Sequence, residues 1–178
     1  DGRFTASLRE ENPSVQVDAV DISQAMLALL LRRSAGVGDR VRTYHSDART
    51  FPYESTGEPY DLVVTHFFLD CLTQDELDRL VTRLKPALAP KALWIVSDFR
   101  IPAGPMRLPA RAYVRCLYLA FRVLTGLRTT RLPDHAAALA EHGFVCRDCR
   151  HSLAGLLSSE LWQRRGGNLR WTKRHQIS

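Results

Sequence analysis

Residues 1–23 read "DGRFTASLREENPSVQVDAVDIS". Phe4 to Glu11 has a helical period, and Val15 to Val20 is an apolar strand that runs into an acid, Asp21. In a doubly wound α/β fold a glycine-rich turn and a helix follow the first strand. The second strand then ends about 20 residues beyond the turn in an acid that takes ribose hydroxyls. Asp21 stands 19 residues beyond Gly2. Asp1-Gly2 therefore reads as the tail of a glycine-rich loop, with the first strand of the fold expected before Asp1.

The same alternation continues outward from this stretch. "SQAMLALLLRRS" is a helix capped at Ser23, and Val41 to Ser46 is a strand. "YDLVVTHF" (residues 60–67) is a further strand. "TQDELDRLVTRLKPAL" is a helix with Thr73 as N-cap and Glu76 in the capping-box position. Ala92 to Phe99 reads as an apolar strand of the kind buried on both faces of a parallel sheet. Strand and helix in turn predict a Rossmann-like, doubly wound and mostly parallel sheet. Its missing first strand is expected at the centre, between the strands ending at Asp21 and near Thr65.

After Phe99 the pattern changes. Leu108 to Leu127 is helical, Pro133 to His142 forms another helix, and "FVCRDCRHS" with "GLLSSELWQR" predicts an antiparallel pair of strands at the sheet edge. Cys146 and Cys149 are three apart, which on a regular strand sends them to opposite faces, and no second ligand pair stands at zinc-site spacing. No metal is expected.

At 178 residues, with 45% hydrophobic and 25% charged residues, the chain has the makings of one globular domain with its own core. No apolar run reaches the roughly 18 residues a membrane span needs. Four scattered cysteines fit a reducing, cytoplasmic setting. The net charge of +6 is concentrated: seven Arg and no acid lie between Arg100 and Arg131, and five basic residues and no acid from Arg164 onward. That leaves a remainder near −6, which does not suit a nucleic-acid binder. Arg111, Arg115, Tyr118 and Arg122 fall on one helical face, with Tyr113, Leu117, Ala120 and Leu124 on the other. The expected organisation is a domain over residues 1–163 with a helical lid near 104–131, then a basic tail over 164–178.

With "DG", "VDAVDIS", "YHSDART" and "YDLVVTHFFLDCL" in place, the sequence resembles the class I S-adenosylmethionine-dependent methyltransferases, whose loop commonly reads D/E-x-G-x-G-x-G. The resemblance runs over nearly the whole chain, although only "DG" of that loop is present. It implies S-adenosylmethionine as cofactor and a small-molecule acceptor, lipophilic or quinone-like. It also implies roles for single residues: Asp1 and Gly2 in the cofactor loop, Asp21 on the ribose, Ile22 and Met26 flanking the adenine, Asp47 on the adenine amino group with Ala48 beside it, and Thr65 to Phe67 lining the methionine end. His66 and Asp70 are candidates for handling the acceptor. The Arg face of the lid would suit an anionic membrane surface.

Each residue also has a plainer reading. Asp21 and Asp47 are placed as turn formers or helix caps, Met26 as core, His66 as a polar strand end and Asp70 as a helix-start acid. Two other functions stay open. A nicotinamide-dependent oxidoreductase uses a related fold, but the chain contains no Y-x-x-x-K. A methyltransferase-like domain without activity, serving a partner, is the other.

Overall fold

A computed structural model describes residues 2–34, 40–99, 133–152 and 156–166. The chain divides into two compact units, Asp1–Pro52 and Tyr53–Ser178.

In the first unit, helix α1 (Arg3–Glu11) leads to strand β1 (Val17–Asp21), helix α2 (Gln24–Arg33) and strand β2 (Val41–His45). Gly2 opens α1 in the left-handed region at φ 82. A Cβ there would stand 2.9 Å from the Leu30 Cα of α2, so both backbone conformation and space demand glycine. Ser23 caps α2 as expected, its hydroxyl accepting from the Met26 N–H. β1 and β2 pair in parallel with Asp18 opposite Arg42, and the Arg42 guanidinium grips both carboxylate oxygens at 2.6 and 2.9 Å.

The second unit holds strand β3 (Tyr60–His66), helix α3 (Gln74–Leu84), strand β4 (Leu88–Phe99), helix α4 (His135–Glu141), and strands β5 (Phe144–Ser152) and β6 (Leu157–Arg164). Sheet order is β3-β4-β6-β5, with β3 and β4 parallel and the β4–β6 and β6–β5 pairs antiparallel. The antiparallel C-terminal pair stands at the sheet edge, as the sequence predicts. The first unit holds the two-stranded sheet β1-β2 and the second the four-stranded one.

The capping box of α3 is complete: the Thr73 hydroxyl accepts from the Glu76 N–H, and the Glu76 carboxylate accepts from the Thr73 N–H at 2.9 Å. The helix then buries Leu77, Leu80, Val81 and Leu84, spaced three, one and three apart on a single face. That face meets Trp94, whose ring stands edge-on to Phe144 at 5.7 Å. Each such leucine contributes about 1.5–3 kcal/mol of burial.

β4 departs from the expectation of a strand buried alike on both faces. Ala92, Trp94, Val96 and Asp98 form its buried row, while Leu93, Ile95, Ser97 and Phe99 are only half-buried. The period of two along the strand thus carries an acid, Asp98, into the inward row. The faces of Cys146 and Cys149 also need correction. A bulge at Arg147 sets Cys146 opposite Trp162 and Cys149 opposite Glu160, so the extra residue turns both cysteines to one face.

Among the described residues no helix is long and apolar enough to cross a membrane. The expected lid, with Arg111, Arg115 and Arg122, lies outside the described residues, as does most of the basic tail.

Candidate functional site

In the first unit the carboxyl ends of the two parallel strands gather the residues that the sequence singles out. Asp21 closes β1, and one of its oxygens accepts the Ser23 N–H at 2.8 Å, which shapes the turn into α2. Its backbone carbonyl receives the Ser46 N–H, tying that turn to the one after β2. His45 adds a second tie, its Nε2 lying 2.9 Å from the Ile22 carbonyl oxygen. Ile22 is left 68% exposed, and Met26, one turn on, is exposed as well. An unpartnered aliphatic side chain beside a carboxylate with one oxygen uncommitted offers both an apolar wall and a hydrogen-bond acceptor.

Asp47 stands differently. Its two oxygens are held by the Arg49 guanidinium at 2.7 to 3.0 Å, and one also takes the Arg49 N–H. This hydrogen bonding outweighs partial burial and holds the carboxyl below the usual range. Ala48 sits in the same turn, half-buried. Met26 is no core residue; the buried position of α2 is Leu27. Asp1 lies outside the described residues.

In the second unit β3 delivers Thr65, His66 and Phe67 to its carboxyl end. The Thr65 side chain turns into the core, accepting from the Trp94 indole N–H at 3.1 Å. His66 is exposed, its imidazole pulled below the ordinary value by partial desolvation. Phe67 is the one non-glycine residue at positive φ among those described, at φ 52. A left-handed backbone costs a bulky L-residue about 1–2 kcal/mol, and such strain persists only where the surroundings impose it. Two bonds impose it here. The Phe67 N–H donates to the Ser97 carbonyl at 2.8 Å, and the Phe68 N–H donates to Asp98 Oδ1 at 3.1 Å.

Asp98 and Asp70 are both buried. Burial first, then the charge of Asp70, pushes Asp98 up to about 8. Among the described residues its Oδ2 meets no hydrogen-bond partner. Cys71 completes the cluster with its sulfur 3.5 Å from Asp70, and burial together with that neighbour pushes the thiol up to about 12. Across the sheet His135, the first residue of α4, lies 3.0 Å from Glu160 of β6, which also accepts from the Trp162 indole. Burial pulls the imidazole down, but the hydrogen bond and charge of Glu160 carry it above its ordinary value.

Asp70 is buried in the turn after β3, close to Asp98, while Asp98, His135 and Glu160 carry no sequence signal of their own. Asp98 sits inside an apolar run that reads as packing, and the pairing of His135 with Glu160 joins elements 25 residues apart.

The sequence matches the family described as methyltransferase domain over residues 1–91. No curated protein matches it. Among solved structures, the chain is similar to the N-methyltransferase NodS of Bradyrhizobium japonicum WM9, with a TM-score of 0.61 at 14% identity, over 92% of this chain and 80% of that one. An O-methyltransferase family 2 protein of Planctomyces limnophilus, solved with apigenin, gives a TM-score of 0.65 at 20% identity over 92% and 48%. LepI, solved with S-adenosylmethionine, gives 0.66 at 12% over 92% and 40%. The chain therefore spans most of NodS but less than half of the other two, and at these identities the likeness is one of fold.

Proposed function

The chain belongs to the methyltransferase domain family, and on that premise we propose that it moves the methyl group of S-adenosylmethionine to a small, flat and largely lipophilic acceptor. The supporting observation is the match over residues 1–91, which takes in Gly2, Asp21, Ile22, Met26, Asp47, Ala48, Thr65, His66 and Asp70.

The residues present suit the cofactor. Asp21 has an oxygen to offer to the ribose hydroxyls. Exposed Ile22 and Met26 would flank the adenine, and Asp47, shared with Arg49, would take its amino group. Gly2, at the start of α1, would meet the amino-acid end. When bound, the cofactor supplies an electrophilic methyl on a positively charged sulfur, whose departure leaves a neutral thioether. The protein then has to align the acceptor, exclude water and, for a hydroxyl acceptor, take up its proton. His66, exposed and held in the neutral form, is suited to that last task. The Arg face of the lid segment remains a proposed contact with anionic membrane from the cytoplasmic side.

Isothermal titration calorimetry with S-adenosylmethionine tests the reading, followed by transfer of labelled methyl to a panel of phenols and hydroquinones. Micromolar binding with transfer to at least one acceptor is expected. Binding of NADH in place of S-adenosylmethionine would overturn it.

A further inference from the structure

We propose that Phe67 and Phe99 form an aromatic platform for a flat, uncharged ring of the methyl acceptor, and that Asp98 is the positioning residue that holds Phe67 in place. The proposal rests on the methyl-transfer reading and narrows its acceptor class.

The first observation is the strain at Phe67. A phenylalanine has no intrinsic reason to adopt φ 52, and a glycine there would relieve the conformation. The structure nevertheless holds it there from both sides of the peptide: the Phe67 N–H is fixed by Ser97, the following N–H by Asp98, and the Phe67 carbonyl receives the Cys71 thiol at 3.6 Å. The second observation is Asp98 itself. It is 1% exposed, and among the described residues one of its oxygens has no hydrogen-bond partner. Burying a carboxyl this way is unfavourable. The side-chain bonds it makes in return go to the backbone of the turn, at the Phe68 N–H and at Phe67.

The outcome of this arrangement is a ring left 47% exposed, 5.1 Å from the Phe99 ring and tilted 46° to it. The two rings stand at the carboxyl ends of neighbouring parallel strands, where ligands bind in doubly wound folds. An exposed, tilted pair of this kind has room for a third ring, stacked or edge-on. Asp70, whose charge helps to keep the proton on Asp98, lies in the same turn, which disfavours an anionic ring.

The test uses the full chain with S-adenosylhomocysteine present, 2-naphthol as a neutral aromatic probe and cyclohexanol as its non-aromatic control. Affinities come from saturation-transfer NMR, and those for S-adenosylhomocysteine from calorimetry. We expect 2-naphthol to bind well ahead of cyclohexanol, and Phe67→Ala to weaken it about five- to tenfold, with Phe67→Tyr restoring it. Asp98→Asn keeps an oxygen for the Phe68 N–H and should stay within about twofold of wild type, whereas Asp98→Ala should lose affinity as Phe67→Ala does. Equal binding of the two probes overturns the aromatic class, and an unchanged Phe67→Ala overturns the platform. A loss of S-adenosylhomocysteine affinity as large as the naphthol loss assigns the ring to the cofactor and overturns the acceptor role. Should Asp98→Ala fail to fold, the Asp98→Asn result decides: a loss of naphthol binding in that variant rejects the positioning role. Failure of the wild-type chain to bind S-adenosylhomocysteine is a separate outcome, and strikes the methyl-transfer reading itself.

Discussion

The Phe68 N–H reaches Asp98 Oδ1 at 3.1 Å one step beyond the point where the Phe67 N–H meets the Ser97 carbonyl. A side chain thus takes over where the β3–β4 ladder stops, and the last rung depends on a titratable group. Facing that group are Asp70 and Cys71 from the turn after β3, and His135 from α4 with Glu160 of β6 behind it. Burial raises Asp98 from 3.8 to about 8, so the folded chain keeps a proton that the unfolded chain releases. The stability tied to this group is complete below the lower value and is lost as pH rises towards the upper one. The urea midpoint should fall between pH 5 and 8, and the fall should flatten in Asp98→Asn. An identical slope in the variant would count against the assignment.

The His135–Glu160 pair has a different window. His135 is raised, so its contribution is full below its unfolded value of 6.5 and fades above the folded one. Glu160 is lowered despite burial, by its bonds to His135 and Trp162, so its contribution is full above 4.5 and fades in acid. The pair should therefore be strongest between these values. Replacing His135 by Ala should cost about 1.5–3 kcal/mol near pH 5.5 and less at pH 8.5, read by denaturant melts at both.

Phe67→Gly separates strain from function. Glycine accepts φ 52 freely, so the variant should gain up to about 1 kcal/mol or stay level, while 2-naphthol binding drops. A clear loss of stability would mean that the ring is held for packing.

Asp21 and Asp47 should differ in cofactor affinity. Asp21→Ala removes a charged acceptor with an uncommitted oxygen and should weaken S-adenosylmethionine by about 1.5–3 kcal/mol, or roughly ten- to a hundredfold. Asp47→Ala should cost less than tenfold, because Arg49 already occupies both oxygens. Calorimetry on the two variants checks the order, and the reverse order would reject the ribose role of Asp21.

Local chemistry explains what could be read from the residues alone. Ser23 and Thr73 announce their helices because capping is settled within three residues, and the apolar periods of α3 and β3 show in any short window. The strap at Asp98 could not be foreseen, since it joins residues 30 apart and lies in a run whose other members are apolar. Phenylalanine gives no hint of a left-handed backbone. The single bulge residue Arg147 turns Cys149 to the same face as Cys146, and a spacing rule applied to a regular strand misses that.

Gly2 bears on how mutational records of this protein should be read. Any other residue there would meet both the left-handed backbone and the Leu30 Cα 2.9 Å from its Cβ. In a saturation library selected for activity, position 2 should tolerate almost nothing, and a survey of such libraries would rank it with the ligand contacts. Much of that intolerance would measure the clearance between two helices, beside any contact Gly2 makes with the cofactor. Only a readout of folded abundance, scored beside activity, distinguishes a position that touches the substrate from one that has no room to change.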